Sequence, residues 1–216
     1  MNRIILALDE VIQRDKIMQI QEYIYAVKIG YPLLLQLGVG GVNELLSGVK
    51  VKRILDLKLA DIGNTMIKIV SKIPGDGVIA HAFIGVEGAL DELKRFLDST
   101  GEKLYLLLSM SHIGWNDSFY DYLKDVANEI KPYGIVAPAT RSGILQKIRH
   151  DFPSLEIISP GVGVQGSLPG DALCNGADYE IIGRSIYSSL DPIGKVKEIS
   201  KLQEERILEC KGAKGR

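Results

Sequence analysis

The stretch Val51-Lys52-Arg53-Ile54-Leu55-Asp56-Leu57-Lys58-Leu59-Ala60-Asp61-Ile62 sets the reading of the whole chain. It begins as a branched, apolar run suited to a buried strand and ends in three charges, Asp56, Lys58 and Asp61. Side chains at i and i+2 of a strand point to the same face. Asp56 and Lys58 are therefore expected side by side at the carboxyl end of the strand. Buried charges are costly unless paired, so charge placed there points to a working site more than to packing.

Similar short apolar runs occupy residues 4–8, 26–29, 77–80, 104–108, 134–137, 156–158 and 179–182, which with 54–57 makes eight. Amphipathic, helix-like segments lie between them at 15–24, 64–73, 90–97, 117–130 and 142–150, and a Lys/Glu-rich one closes the chain at 192–208. Strands alternating with helices imply parallel pairing with right-handed crossovers. Eight such units close into a (β/α)8 TIM barrel, read here as a single α/β domain over residues 1–216 with a C-terminal helix. An open doubly wound sheet would carry a Gly-rich phosphate turn after its first strand. Here Leu8-Asp9-Glu10-Val11 follows instead.

Composition narrows the function classes. A chain of 216 residues with 46% hydrophobic and 25% charged residues is ordinary for a soluble enzyme. The net charge of −1 offers no basic patch for nucleic acid. An anionic ligand should be held by a few placed residues, which favours a small molecule over a polymer. No apolar stretch is long enough to span a membrane, and the apolar run after Arg3 is cut short by Asp9. The expected setting is cytoplasmic. Cys174 and Cys210, without CxxC spacing, are expected to be free thiols there.

In a barrel, functional groups collect where strands give way to the following loops. Those positions hold Asp9, Lys28, Asp56 with Lys58, His81, Ser111, Pro138 with Arg141, Gly161 to Gln165, and Gly183 with Arg184. After the seventh strand come Pro160-Gly161-Val162-Gly163-Val164-Gln165-Gly166, whose glycines let backbone N–H groups approach an anion. After the eighth, Gly183 gives close access and Arg184 is suited to bidentate phosphate binding. Phosphate sites in these barrels are often built at this place, so a phosphorylated small molecule is the expected ligand. His112 has no second histidine at ligand spacing and is read as structural, with Ser111 as the ligand contact. Trp115 is read as packing or as a loop aromatic.

Taken together, Leu6-Ala7-Leu8-Asp9, Val27-Lys28-Ile29-Gly30, Asp56-Leu57-Lys58-Leu59-Ala60-Asp61-Ile62, Met110-Ser111-His112, Val136-Ala137-Pro138-Ala139-Thr140-Arg141, Pro160 to Gly166 and Ile182-Gly183-Arg184-Ser185-Ile186-Tyr187 resemble orotidine 5′-monophosphate decarboxylases, most of all the short archaeal form. The motifs run in the family's order over essentially the whole chain. The resemblance implies decarboxylation of orotidine 5′-monophosphate to UMP, the last step of de novo pyrimidine nucleotide synthesis, without metal or cofactor. It makes Lys58 the proton donor to C6, inside an array in which Asp56 and Asp61 alternate with Lys28 and Lys58. Asp9 and Lys28 would contact the ribose, Ser111 the pyrimidine, and Gln165 with Arg184 the phosphate, beside the Pro160–Gly166 loop and Gly183. It also implies a homodimer in which Asp61, Ile62 and Thr65 enter the neighbouring subunit's site. Gly63 and Ile113 stand where the family often has proline, and Ser167 where a second glycine is frequent, which bears on turn rigidity and loop geometry.

Two alternatives stay open. A hexulose-6-phosphate synthase or related lyase shares the Asp-x-Lys-x-x-Asp spacing but uses magnesium; it needs further acids, and strand two offers Lys28 with no acid before Glu44. A catalytically silent phosphoribosyl-binding protein on the same barrel is the other.

Overall fold

The structure is a computed structural model and describes residues 2–163 and 166–214. Eight parallel strands form a closed barrel in sequence order, with the first pairing to both the second and the eighth. They are β1 (Ile4–Leu8), β2 (Ala26–Gly30), β3 (Lys52–Leu59), β4 (Gly77–His81), β5 (Lys103–Leu107), β6 (Gly134–Val136), β7 (Glu156–Pro160) and β8 (Tyr179–Ile182). The helices are α1 (Arg14–Ile20), α2 (Tyr31–Leu45), α3 (Gly63–Val70), α4 (Asp91–Thr100), α5 (Tyr120–Ile130), α6 (Ser142–Asp151), α7 (Asp171–Cys174), α8 (Arg184–Tyr187) and α9 (Pro192–Lys214). The eight expected strands are all present, β3 being longer at both ends than its apolar run. No helix among the described residues is long and apolar enough to cross a membrane.

Alternation along the strands sorts side chains into two apolar layers. Ile5, Ala7, Ile54, Ile79, Leu107, Val136, Ile158 and Ile181 fill the barrel interior. Their neighbours Ile4, Leu6, Leu55, Leu57, Val78, Leu106 and Ile157 pack outward against the helices. The amino-terminal end of the interior is filled by Tyr105. Its ring fits because Gly77 and Gly134 face it: a Cβ on Gly134 would stand 2.7 Å from the ring, and one on Gly77 2.8 Å. The Tyr105 hydroxyl donates to Glu156 at 2.6 Å, and Tyr25 donates to the same carboxylate at 3.1 Å. With the amino-terminal end of the interior filled, the cavity among the barrel-lining residues opens at the carboxyl ends of the strands.

Gly63 is the first residue of α3, and a Cβ there would overlap the side chain of Glu92 from α4. The space a proline would use is taken by Glu92, which accounts for that departure from the family pattern.

The expectation of free thiols is corrected: Cys174 at the end of α7 and Cys210 on α9 form a disulfide, their Cα atoms 6.0 Å apart. Local spacing is blind to this pairing, because α9 returns along α7 from the far end of the chain. Closing a 36-residue separation is worth about 3–4 kcal/mol on the chain-entropy account. Replacing both cysteines by serine should lower the calorimetric melting midpoint by about 5–15 °C relative to the oxidised protein. Equal midpoints would show that the bridge contributes nothing.

Candidate active site

The carboxyl ends of the strands surround a cavity of about 270 Å³ lined by Asp9, Lys28, Asp56, Lys58, Ser111, Pro160, Gly161, Val162, Gly183 and Arg184, among others. Ten of the residues singled out in the sequence are thereby brought to one place. Ser109, Met110 and Ser185 also line it; Met110 and Ser185 belong to the motifs that carry the resemblance but have no role assigned there, and Ser109 lies just before one of them.

At the centre is a chain of ion pairs. Lys28, in the middle of β2, donates to Asp56 Oδ2 at 2.6 Å, and Lys58 donates to Asp56 Oδ1 at 2.8 Å. Asp9, at the end of β1, lies 3.7 Å from Lys28. All three line the cavity, but Lys28 and Asp56 are buried whereas the Lys58 side chain is 39% exposed, so its ammonium is the more open of the two. Burial pushes the Asp56 carboxyl up, but the two ammonium groups outweigh it and hold Asp56 below its usual value. Asp56 is thus a fixed anion that keeps two cations in place.

The expected strand geometry holds only in part. Asp56 shares the inward parity of Ile54, but the β3–β4 register breaks between Leu55 and Leu59, and Lys58 takes φ 41°. A left-handed conformation at a non-glycine residue costs about 1–2 kcal/mol. Here it turns Lys58 back onto Asp56 beyond the regular ladder, and such strain is typical of functional positions. Near them the half-buried His81 is pushed below its usual pKa by burial and by Lys58, against the pull of Asp56. Its ring is therefore neutral near pH 7, and among the described residues its Nδ1 has no hydrogen-bond partner.

The distal rim is built from the β7 and β8 exits. Gly161 and Gly163 have φ 108° and 82°, and Gly163 N–H donates to the Ser167 carbonyl at 2.8 Å, folding the segment back on itself. Ser167 serves through its backbone, so it fits where a glycine is frequent. Val164 and Gln165 lie outside the described residues, and neither Gly163 nor Gly166 is among the cavity's lining. Arg141 is outside the cavity and braces the segment after β5: it pairs with Asp117 and donates to the carbonyls of Met110 and Trp115 at 3.4 Å. Trp115 packs against the core, while His112 is exposed, its ring edge-on to Trp115. Ile113 is fully exposed.

Asp61, Ile62 and Thr65 do not line the cavity of their own chain. Asp61 is exposed and accepts from the Ile62 N–H at 2.7 Å, Ile62 is 61% exposed, and Thr65 is half-buried at the start of α3. Among the described residues no group of three or more His, Cys, Asp or Glu side chains is placed to hold a metal ion.

A buried pair broken on one side is strongly destabilising, by about 3–5 kcal/mol. Asp56→Asn should therefore lower stability markedly at pH 7. A carboxyl held below its unfolded value, about 4, contributes fully above that value and loses its contribution as pH falls through the native one. The gap in melting midpoint between wild type and Asp56→Asn should accordingly close below pH 4; a gap independent of pH would place the effect outside the charge.

With this geometry in hand, comparison with known proteins is specific. The family model described as "Orotidine 5'-phosphate decarboxylase / HUMPS family" matches residues 2–199. The orotidine 5'-phosphate decarboxylase of Sulfurisphaera tokodaii is 53% identical over 209 residues, covering 96% of this chain and 98% of that protein. The crystal structure of orotidine 5'-monophosphate decarboxylase from Sulfolobus solfataricus superposes with a TM-score of 0.93 at 46% identity, over 96% of this chain and 100% of that one. The Methanocaldococcus jannaschii enzyme, solved in complex with inhibitor BMP, gives 0.82 at 33% identity, over 94% and 99%.

Proposed function

The chain belongs to the orotidine 5′-phosphate decarboxylase / HUMPS family, and we propose that it converts orotidine 5′-monophosphate to UMP and carbon dioxide. The observation that carries this reading is the Lys28–Asp56–Lys58 chain lining one end of the cavity, with the more exposed Lys58 ammonium open to it and a phosphate-suited rim at the other end.

In the reaction the C6–carboxylate bond breaks, the electron pair stays on C6, and a proton from Lys58 Nζ replaces carbon dioxide. The pair on C6 has little resonance stabilisation, so the barrier must fall through charges already in place. A fixed ammonium beside C6 attracts the developing charge and then supplies the proton. Asp56 holds the Lys58 ammonium in place, and Lys28 holds Asp56 from behind. Enzymes lower barriers by about 8–23 kcal/mol, and this chemistry needs the upper part of that range without an electron-sink cofactor. Asp9 and Lys28 would hold the ribose, Ser111 the pyrimidine edge, and Arg184 with the Gly161–Gly163 backbone and Gln165 the phosphate. Phosphate binding, remote from C6, then orients the ring against Lys58.

A magnesium-assisted lyase would need acids around its metal, where this chain puts Lys28. The decarboxylase reading is therefore preferred.

The exposed placement of Asp61 and Ile62 supports a second part of the proposal: two chains form a homodimer in which each gives Asp61, Ile62 and Thr65 to its neighbour's site. Lys58→Ala and Asp61→Ala dimers should each lose turnover by about 10³-fold or more. Mixing them should return about one quarter of the wild-type rate, because half the dimers are mixed and each carries one intact site. No recovery after confirmed subunit exchange would refute the shared site.

A further inference from the structure

Glu180 is a carboxylate in the outer apolar layer that the chemistry above does not use. It lies on β8 with no exposed surface, between Tyr179 and the inward-facing Ile181. Every group reaching it is a donor. Gly170 N–H donates to both oxygens at 3.0 and 2.9 Å, Ala172 N–H to Oε1 at 3.1 Å, and Gln203 Nε2 of α9 to Oε2 at 2.8 Å. Burial pushes its pKa up against these donors. A carboxylate costs several kcal/mol to bury, and apolar packing alone would not require one here.

What it holds is specific. Gly170 ends the segment that starts at Gly161, and it takes φ 94°. A Cβ on Gly170 would stand 2.5 Å from Arg206 Cβ, so α9 presses directly on this residue. Arg206 also pairs with Asp171 at 2.9 Å, and the Cys174–Cys210 bridge joins the same two helices. Upstream, the Ser167 N–H donates to the Gly161 carbonyl at 3.3 Å, and Gly163 packs toward Ser185. Four residues beyond Glu180 on its own strand exit is Arg184. One carboxylate thus ties both phosphate-facing segments, after β7 and after β8, to a single point.

We infer that Glu180 is a positioning residue for the phosphate end of the site: with Gln203 it fixes the Gly170 end of the β7–α7 segment to β8, setting the Gly161–Gly163 backbone against Arg184. This rests on the proposed function for the identity of the ligand, a nucleoside monophosphate, but not for the anchor itself. The anchor acts through the phosphate alone, so its loss should leave chemistry on a phosphate-free nucleoside untouched.

The test compares orotidine 5′-monophosphate with orotidine, using Glu180→Met, Glu180→Gln and Gln203→Leu in the full chain. Glu180→Met removes the acceptor at similar volume. It should lower kcat/KM for the nucleotide by about 10- to 100-fold, mainly through KM, and leave kcat/KM for orotidine within about twofold. Glu180→Gln should recover most of the loss, because the Gln203 amide can turn over and leave the oxygen of Gln at 180 for Gly170 and Ala172. Gln203→Leu, the milder change should Glu180→Met not fold, should show the same selective loss at about two- to fivefold. Equal losses on both substrates, or none on the nucleotide, would overturn the inference. Failure of the proposed function is separable from failure of the anchor. Wild type that does not turn over the nucleotide contradicts the function, whereas unchanged amide-exchange protection at Gly170 and Ala172 in Glu180→Met contradicts the anchor whatever the ligand.

Discussion

Asp56 is a buried carboxylate held between two ammonium groups, and much of the molecule can be understood as what is needed to keep it there. Alone, any of the three charges would be expelled or neutralised in such surroundings. Together, with Lys28 and Lys58 on separate oxygens of one carboxylate, they make a preset field. The price is a long β3, a break in its register, and a left-handed Lys58. Closed parallel strands with a filled interior are what make that placement rigid.

The barrel then separates two tasks along one cavity. The β1–β3 exits carry charge of both signs close together, which suits a reaction that develops charge on carbon. The β7 and β8 exits carry glycine backbone and an arginine, which suit a dianion whose charge never changes. Binding energy collected at the second end can be used at the first only if both are mounted on the same stiff frame. Glu180, Gln203 and the disulfide-linked α7–α9 pair lie behind the second end for that reason.

Much of this was legible in the sequence, for a physical reason. Parallel strands buried on both faces give compact apolar runs, and polar groups at their ends stand out: Asp9, Lys28, Asp56, Lys58 and Arg184 were all found this way. Helices were less legible. α2 has glycines at 38, 40 and 41 and is interrupted at Gly38, where φ is 65°, so its periodicity is faint; α7 and α8 are single turns. Contacts between distant segments were illegible. The Cys174–Cys210 bridge and the Glu180–Gln203 bond both depend on α9 lying along α7, which no local pattern announces. Glu180 reads in sequence as an interruption of the Tyr179–Ile182 run, and its three donors, Gly170, Ala172 and Gln203, are visible only once the chain is folded.

The central claim is that charges fixed by the fold, rather than a bound metal, lower the barrier to decarboxylation. It is tested most directly by following the ultraviolet absorbance of orotidine 5′-monophosphate mixed with purified protein that has been exhaustively dialysed against EDTA. Full conversion to UMP at the rate of untreated protein is the predicted result. Loss of turnover on chelation, restored by adding a divalent cation, would contradict it.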